Sequence, residues 1–235
     1  MTSKSEWARA DLRIDPDTTE RLFFTEHEWN TVEAAAARII PTDHDPGARE
    51  ARSVVFIDRY LSGIEYVYAA ADGRGFLQLA GAEANAARAR NNTMKQLYRE
   101  GLVELDAVAR KHGATAFVVA DEQVQDAVLV EVSGRAKPGH VRLDEHEVFY
   151  SRLQGNTDQG MPFFETLCFH VRQGFYADPV YGGNKDRIGW KVIGFPGPES
   201  LKDTMDGTYT TAQYFAETWD WHEILLSYDP PAEDV

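Results

Sequence analysis

A mainly α, single-domain, loop-rich chain with one short β element is the fold class this sequence predicts, and three observations lead there. Apolar residues recur at helical spacing in four stretches, over 29–39, 54–64, 94–112 and 164–175. Several of these stretches open or close on residues that cap helices. No unit of about 20 to 50 residues repeats, which sets aside solenoids and propellers.

Taken in order, residues 1–20 read as a polar N-terminal arm ending in the turn Asp15-Pro16-Asp17. Residues 21–235 follow as the helical domain. Thr25 caps its first helix and Glu28 completes a capping box, with Phe24 and Trp29 placed to form a hydrophobic staple. Trp29, Val32, Ala36 and Ile39 make the buried stripe, and Pro41 ends the helix. Asp45 then caps a second helix with Pro46 at its first position. Val54, Ile57, Leu61 and Ile64 form its apolar side, and Gly63 stops it. Two helices so closely joined are expected to pack antiparallel.

Glu65–Ala71 is expected to continue helically, and Asp72-Gly73-Arg74-Gly75 breaks the chain. Phe76–Leu79 is a short apolar piece without an assignment. Ala82–His112 is rich in good helix formers, with Asn91-Asn92-Thr93 as its weak point and Gly113 as its stop. The Phe-Val-Val run within Ala114–Ala120 predicts an extended passage. Asp121 caps a helix that runs to about Val132 and ends at Gly134. Val141–Tyr150 fits one strand. Pro162 opens a further helix at its first position, with Phe164, Leu167, Val171 and Phe175 on the apolar face. Past residue 207, alternation over Thr208–Phe215 suggests a strand and Ala216–Leu226 suits a helix. The aromatic residues from Tyr209 to Tyr228 either return to the core or cover a partner.

Composition narrows the function. Of 235 residues, 43% are hydrophobic and 26% charged, ordinary for a globular protein. A net charge of −14 argues against nucleic acid, whose phosphates need clustered Lys and Arg. No apolar run approaches the ~18 residues of a membrane helix, so the chain is not expected to span a bilayer. No apolar signal stretch opens the sequence, so it reads as cytoplasmic as written, and as periplasmic if it is exported with a partner or a leader was removed.

Catalytic chemistry is hard to find. Gly73-Arg74-Gly75 lacks the third glycine and the flanking strand of a dinucleotide fingerprint. None of the seven histidines follows a Glu by three residues, the spacing of a helical di-iron site. Asp43-His44-Asp45 and Asp144-Glu145-His146-Glu147 collect ligand-type side chains, but neighbours on regular structure point apart. His170, beside the apolar stripe, suits a hydrogen-bonded core or interface position. Cys168 lies between Leu167 and Phe169, where a thiol stays protonated. The expectation is therefore no catalytic residue, no metal ligand and no cofactor in this chain.

What stands out is Ala177–Pro198. It is rich in Gly and Pro yet carries Tyr181, Trp190 and Phe195, so an ordered loop is expected. Asp178-Pro179 begins a turn, and Gly182-Gly183-Asn184 permits positive φ. Two readings compete. The loop folds onto its own helices, or it presents Tyr176, Asp178, Tyr181, Gly182, Gly183, Asn184 and Trp190 to a partner.

The phrase GFYADPVYGGNKDRIGWKVIGFPGP closely resembles the signature of the gluconate 2-dehydrogenase subunit 3 family. Phe23–Leu61 is a second similar stretch, and DEQVQDAVL, Asp121–Leu129, a third. Members are small (γ) subunits of bacterial flavin-dependent sugar and alcohol dehydrogenases. The resemblance implies a non-catalytic subunit that binds and stabilises, and in some cases helps export, a glucose–methanol–choline (GMC) type catalytic subunit carrying FAD. A c-type cytochrome accepts the electrons in such complexes. The resemblance also marks residues 135–159 as an insertion, and it favours the partner-facing reading of the loop. The alternative from another class is an independent helical enzyme with a Glu/His metal or acid–base site.

Overall fold

The computed structural model describes residues 8–10, 17–62, 66–69, 76–135, 158, 160–195 and 197. Within them the architecture is mainly α, as expected, with one three-stranded sheet.

Helix α1 spans Glu26–Ile39 and starts as its capping residues dictate. The Thr25 hydroxyl accepts the Glu28 N–H at 3.3 Å, and the Glu28 carboxylate accepts the Thr25 N–H at 2.8 Å. Phe24 and Trp29 on either side are both buried. A second carboxylate fixes the approach to this helix. Asp58, only 2% exposed, accepts the N–H groups of Leu22, Phe23 and Phe24 at 2.7, 3.0 and 2.7 Å.

Helix α2 is Ser53–Leu61, so it begins well after the Asp45-Pro46 start expected for it. Gly47 explains the delay. A Cβ there would lie 2.5 Å from the Ile40 carbonyl, so the chain folds tightly back over the end of α1. Ala48 donates to that carbonyl at 2.9 Å, and Gly47–Ala51 makes one helical turn. Arg52, with φ 57°, ends that turn before α2 starts. Val54, Ile57 and Leu61 face the core as the stripe predicts.

The expected helical continuation through Glu65–Ala71 is instead strand β2, Tyr66–Ala69. It pairs antiparallel with β3, Phe76–Gln78, which in turn pairs antiparallel with β1, Ala8–Ala10, giving the order β1-β3-β2. The loop reading of residues 1–20 therefore gives way to a strand at 8–10. The pairing of β1 with β3 joins segments far apart in sequence, which local spacing does not register, whereas β2 and β3 are separated by only a short connection and pair as neighbours.

Helix α3, Gly81–Lys111, passes Asn91-Asn92-Thr93 without a break. Asn91 donates to the Tyr60 carbonyl at 2.9 Å, so α2 braces α3 at its weak point. The passage expected to be extended is a 3₁₀ turn, Phe117–Val119. Phe117 is fully buried there, and its N–H donates to Asp106 on α3 at 2.9 Å. Helix α4, Glu122–Ser133, has the Asp121 cap and the left-handed Gly134 terminus expected of it. Arg38 of α1 grips Asp126 of α4 with two bonds of 2.8 and 2.9 Å.

Helix α5 is Phe163–Tyr176, with Pro162 as its cap and not its first residue. Phe163 enters the core, and Phe164 packs half-buried against it. The Phe163 ring lies so close to Gly101 that a Cβ there would sit 2.1 Å from it. Gly174, which on sequence weakens the helix end, lets α5 press onto α2: a Cβ would come within 2.8 Å of the Ser53 carbonyl. Trp29, Val32, Ile57, Leu61, Tyr98, Leu105, Val128, Leu167 and Val171 fill one core shared by α1 to α5. Among the described residues no helix is long and apolar enough to cross a membrane. Ile64, the strand expected at Val141–Tyr150 and the segment after residue 197 lie outside the described residues.

Candidate functional site

The corner after α5 is ordered, and one side chain organises it. Asp178 accepts the Val180 N–H at 2.9 Å and caps the 3₁₀ turn Pro179–Tyr181. Burial pushes the Asp178 carboxyl above its usual range. Gly183 then runs against α5, with φ 73° and room for no Cβ, which would lie 2.2 Å from the Gly174 carbonyl. Asn184 is fully buried and left-handed, at φ 41°. Its backbone N–H donates to Gly174 and its amide to the Ala177 carbonyl, both at 2.7 Å, and its oxygen accepts the Gly189 N–H at 2.8 Å. Three bonds thus join the end of α5 to the short helix α6, Ile188–Val192. Lys185 donates its backbone N–H to Ala51 at 3.1 Å, docking the loop beside α2.

Trp190 closes the corner. Its indole N–H donates to the Tyr176 carbonyl at 2.7 Å, and its ring packs under Gly197 and against Phe195 at 5.4 Å. Of the seven residues proposed from sequence, Gly182, Gly183, Asn184 and Trp190 are buried within this chain. Asp178 and Tyr181 are half-buried, and Tyr176 is 40% exposed. Sequence reasoning missed two neighbours, Val192 and Ile193, which are 37% and 53% exposed at the end of α6. Their signal was present: two branched apolar residues immediately before Gly194.

A second cluster surrounds Asp158, which is 1% exposed. Its carboxylate accepts the Tyr60 hydroxyl at 2.5 Å, the Arg90 guanidinium at 2.5 and 3.0 Å, and His170 Nε2–H at 3.0 Å. On the far side of the imidazole, Tyr98 donates its hydroxyl to Nδ1 at 2.9 Å. One neutral tautomer satisfies both bonds. Burial works against the Asp158 anion, but the bonds from His170, Tyr60 and Arg90 outweigh it and hold the carboxyl well below the usual range. Burial likewise pushes His170 down, against the pull of Asp158, and pushes Tyr98 and Tyr60 up. His170 and Tyr98 are at zero exposure with both imidazole nitrogens engaged, and the cluster ties α2, α3 and α5 together. Of its members, sequence reasoning placed only His170, as a hydrogen-bonded residue. The others meet across separations of up to 98 residues.

The remaining clusters are superficial. Asp43, His44 and Asp45 bring their ligand-type atoms within 4.8 Å of one another. They do so because they form a turn, where adjacent side chains converge, and not regular structure. His44 faces Asp43 at 3.2 Å and Asp45 at 3.1 Å. His27 pairs with Asp106, and His112 with Glu131, both at exposed positions. Burial pushes the Cys168 thiol up to about 11, so it stays protonated at neutral pH. His140, His146, His222 and the Asp144–Glu147 cluster lie outside the described residues.

Comparison with known proteins gives one result of weight. A family model described as Gluconate 2-dehydrogenase subunit 3 matches residues 26–197, from the first turn of α1 to the glycine over Trp190. No curated protein matches, and no solved structure does.

Proposed function

We propose, since this chain belongs to the gluconate 2-dehydrogenase subunit 3 family, that it is the non-catalytic small subunit of a flavin-dependent sugar, polyol or alcohol dehydrogenase complex. In this reading the reaction belongs to a GMC-type partner, whose FAD accepts hydride from the substrate carbinol. A c-type cytochrome takes the electrons onward. This chain binds the folded catalytic subunit, stabilises it and, where the complex is exported, accompanies it.

The observation that carries the reading is the family match, which runs through the whole helical core and the corner built on Asn184. The buried polar chemistry is consistent with it. Asp58 and Asp158, the two buried carboxylates described above, bind backbone N–H groups and neighbouring side chains of this same chain. Binding only the folded form of a partner stabilises that partner by mass action, by about 2.7 kcal/mol at a hundredfold excess over Kd.

Co-expression tests this. With the chain present, the flavoprotein is expected to be soluble, yellow and active; without it, insoluble or inactive. Full activity of the lone flavoprotein refutes the role. Elemental analysis and an absorbance spectrum of the isolated chain address the independent enzyme, which requires a bound metal or an intrinsic activity.

A further inference from the structure

We infer that Tyr176, Val192 and Ile193, flanked by Arg172 and Lys191, form the anchor by which this chain grips its partner. The partner surface that fits is an apolar socket rimmed by carboxylates, on the catalytic subunit. The inference rests on the subunit reading above and adds the place and the chemistry of contact.

The patch is a group and not a scatter of side chains. Six large hydrophobic residues are exposed among the described residues, and three of them are Tyr176, Val192 and Ile193. Isolated exposed apolar residues are normal, but grouped ones mark interaction surfaces. The Trp190 indole bond to the Tyr176 carbonyl holds the two helix ends together, and Val192 and Ile193 follow within one turn.

The patch is also rigid. Asn184 locks the corner from inside, and Trp190, 6% exposed, is held by its bond to the Tyr176 carbonyl and packed against Phe195 and Gly197. A preorganised apolar surface loses little conformational entropy on binding. An aromatic residue with branched aliphatics on a rigid corner has the makeup of an interface hot spot.

Local charge indicates what the partner carries. The chain has net charge −14, yet residues 172–191 hold Arg172, Lys185, Arg187 and Lys191 against Asp178 and Asp186. Lys185 is paired with Asp17, whereas Arg172 and Lys191 are exposed beside the patch. Arg172 lies one helical turn from Tyr176, on the same face of α5. A cationic rim on an acidic protein selects an acidic partner surface, and two such rims facing each other across a two-fold dimer would repel.

The test uses the full chain and the flavoprotein that copurifies with it, with binding measured by titration. Ile193→Asp and Lys191→Glu are each expected to weaken binding at least tenfold while leaving the melting temperature of the isolated chain unchanged. Val103→Asp, at an apolar position on α3 still more exposed than Ile193, is expected to leave both unchanged. Raising the salt concentration should weaken wild-type binding, and weaken Lys191→Glu less. Wild-type affinity in Ile193→Asp, or an equal loss in Val103→Asp, overturns the inference while the subunit reading stands. A wild-type chain that is itself a dimer, and that Ile193→Asp converts to a monomer, also overturns it by making a second copy the occupant. A wild-type chain that captures no flavoprotein overturns the subunit reading, and this inference with it.

Discussion

Replacing Asp158 by Asn tests how much of the fold hangs on one buried carboxylate. The change keeps the shape and removes the charge. In the native cluster Asp158 receives only donors: the Tyr60 hydroxyl, two guanidinium N–H groups of Arg90 and the His170 Nε2–H. An amide offers one acceptor oxygen and turns two N–H groups towards the others, so at least one buried donor loses its partner. Leaving a buried charged or polar partner unmatched costs about 3–5 kcal/mol. The Arg90 side chain is 44% exposed, so water compensates part of its loss. Tyr60 and His170 share the other oxygen and keep an acceptor there, so Arg90 is the stranded donor, and with the charge lost from the two remaining bonds a loss of about 3 kcal/mol follows. At about 2–4 °C per kcal/mol for a chain of this size, the melting temperature should fall by roughly 6–12 °C. Urea unfolding followed by circular dichroism measures it directly. A variant melting within about 1 °C of wild type would refute the assignment of Asp158 as the tie between α2, α3 and α5.

Three further outcomes follow from the same structure. Gly101→Ala drives a methyl into the Phe163 ring and should cost about 1–3 kcal/mol despite the better helix propensity of alanine, as a urea midpoint will show. Asp58→Ala strands the N–H groups of Leu22, Phe23 and Phe24 and should cost about 3 kcal/mol, with fast hydrogen exchange confined to the first turn of α1 and the residues before it. Stability should fall as the pH is lowered from 7 to 5, because folding holds His170 below its ordinary value and the unfolded chain takes up the proton first. The His170 contribution is complete above its unfolded value of about 6.5, and that of Asp158 above about 3.9. His170→Gln should flatten the slope between pH 6.5 and 5, and an unchanged slope would refute its role.

The parts of this fold legible in the sequence are those whose physics is local. The Thr25–Glu28 box, the Asp121 cap and the Gly134 terminus each lie within a few residues of the group they satisfy, and all three form as read. The core stripes of α1 and α2 were equally plain. Local reasoning failed wherever a distant partner decided the outcome. Tyr66–Ala69 leaves the helical path because its near neighbour Phe76–Gln78 pairs with it and is itself completed by the distant Ala8–Ala10. Phe117–Val119 coils because Asp106 takes its first N–H. Tyr60, Arg90 and Asp158 carry no mutual spacing to notice. The corner was half legible: its order and its anchoring aromatic residues were expected, but not that Asn184 faces inward and Val192 and Ile193 outward.

That division of labour makes the functional reading separable from the structural one. The Asp158 cluster sets where α5 lies on α2 and α3, and Gly174 against Ser53 sets how closely it lies there. The corner follows from α5, because Asn184 and Trp190 both bond to carbonyls in its last residues or just beyond its end. Perturbing Asp158 therefore lowers partner binding only through the folded fraction, and conditions that restore folding should restore affinity. Perturbing Ile193 leaves folding intact and lowers affinity at every temperature. If stability and affinity instead fell in step for both residues, the exposed patch would have no role of its own, and the contact with the partner would have to lie on another face of the helical core.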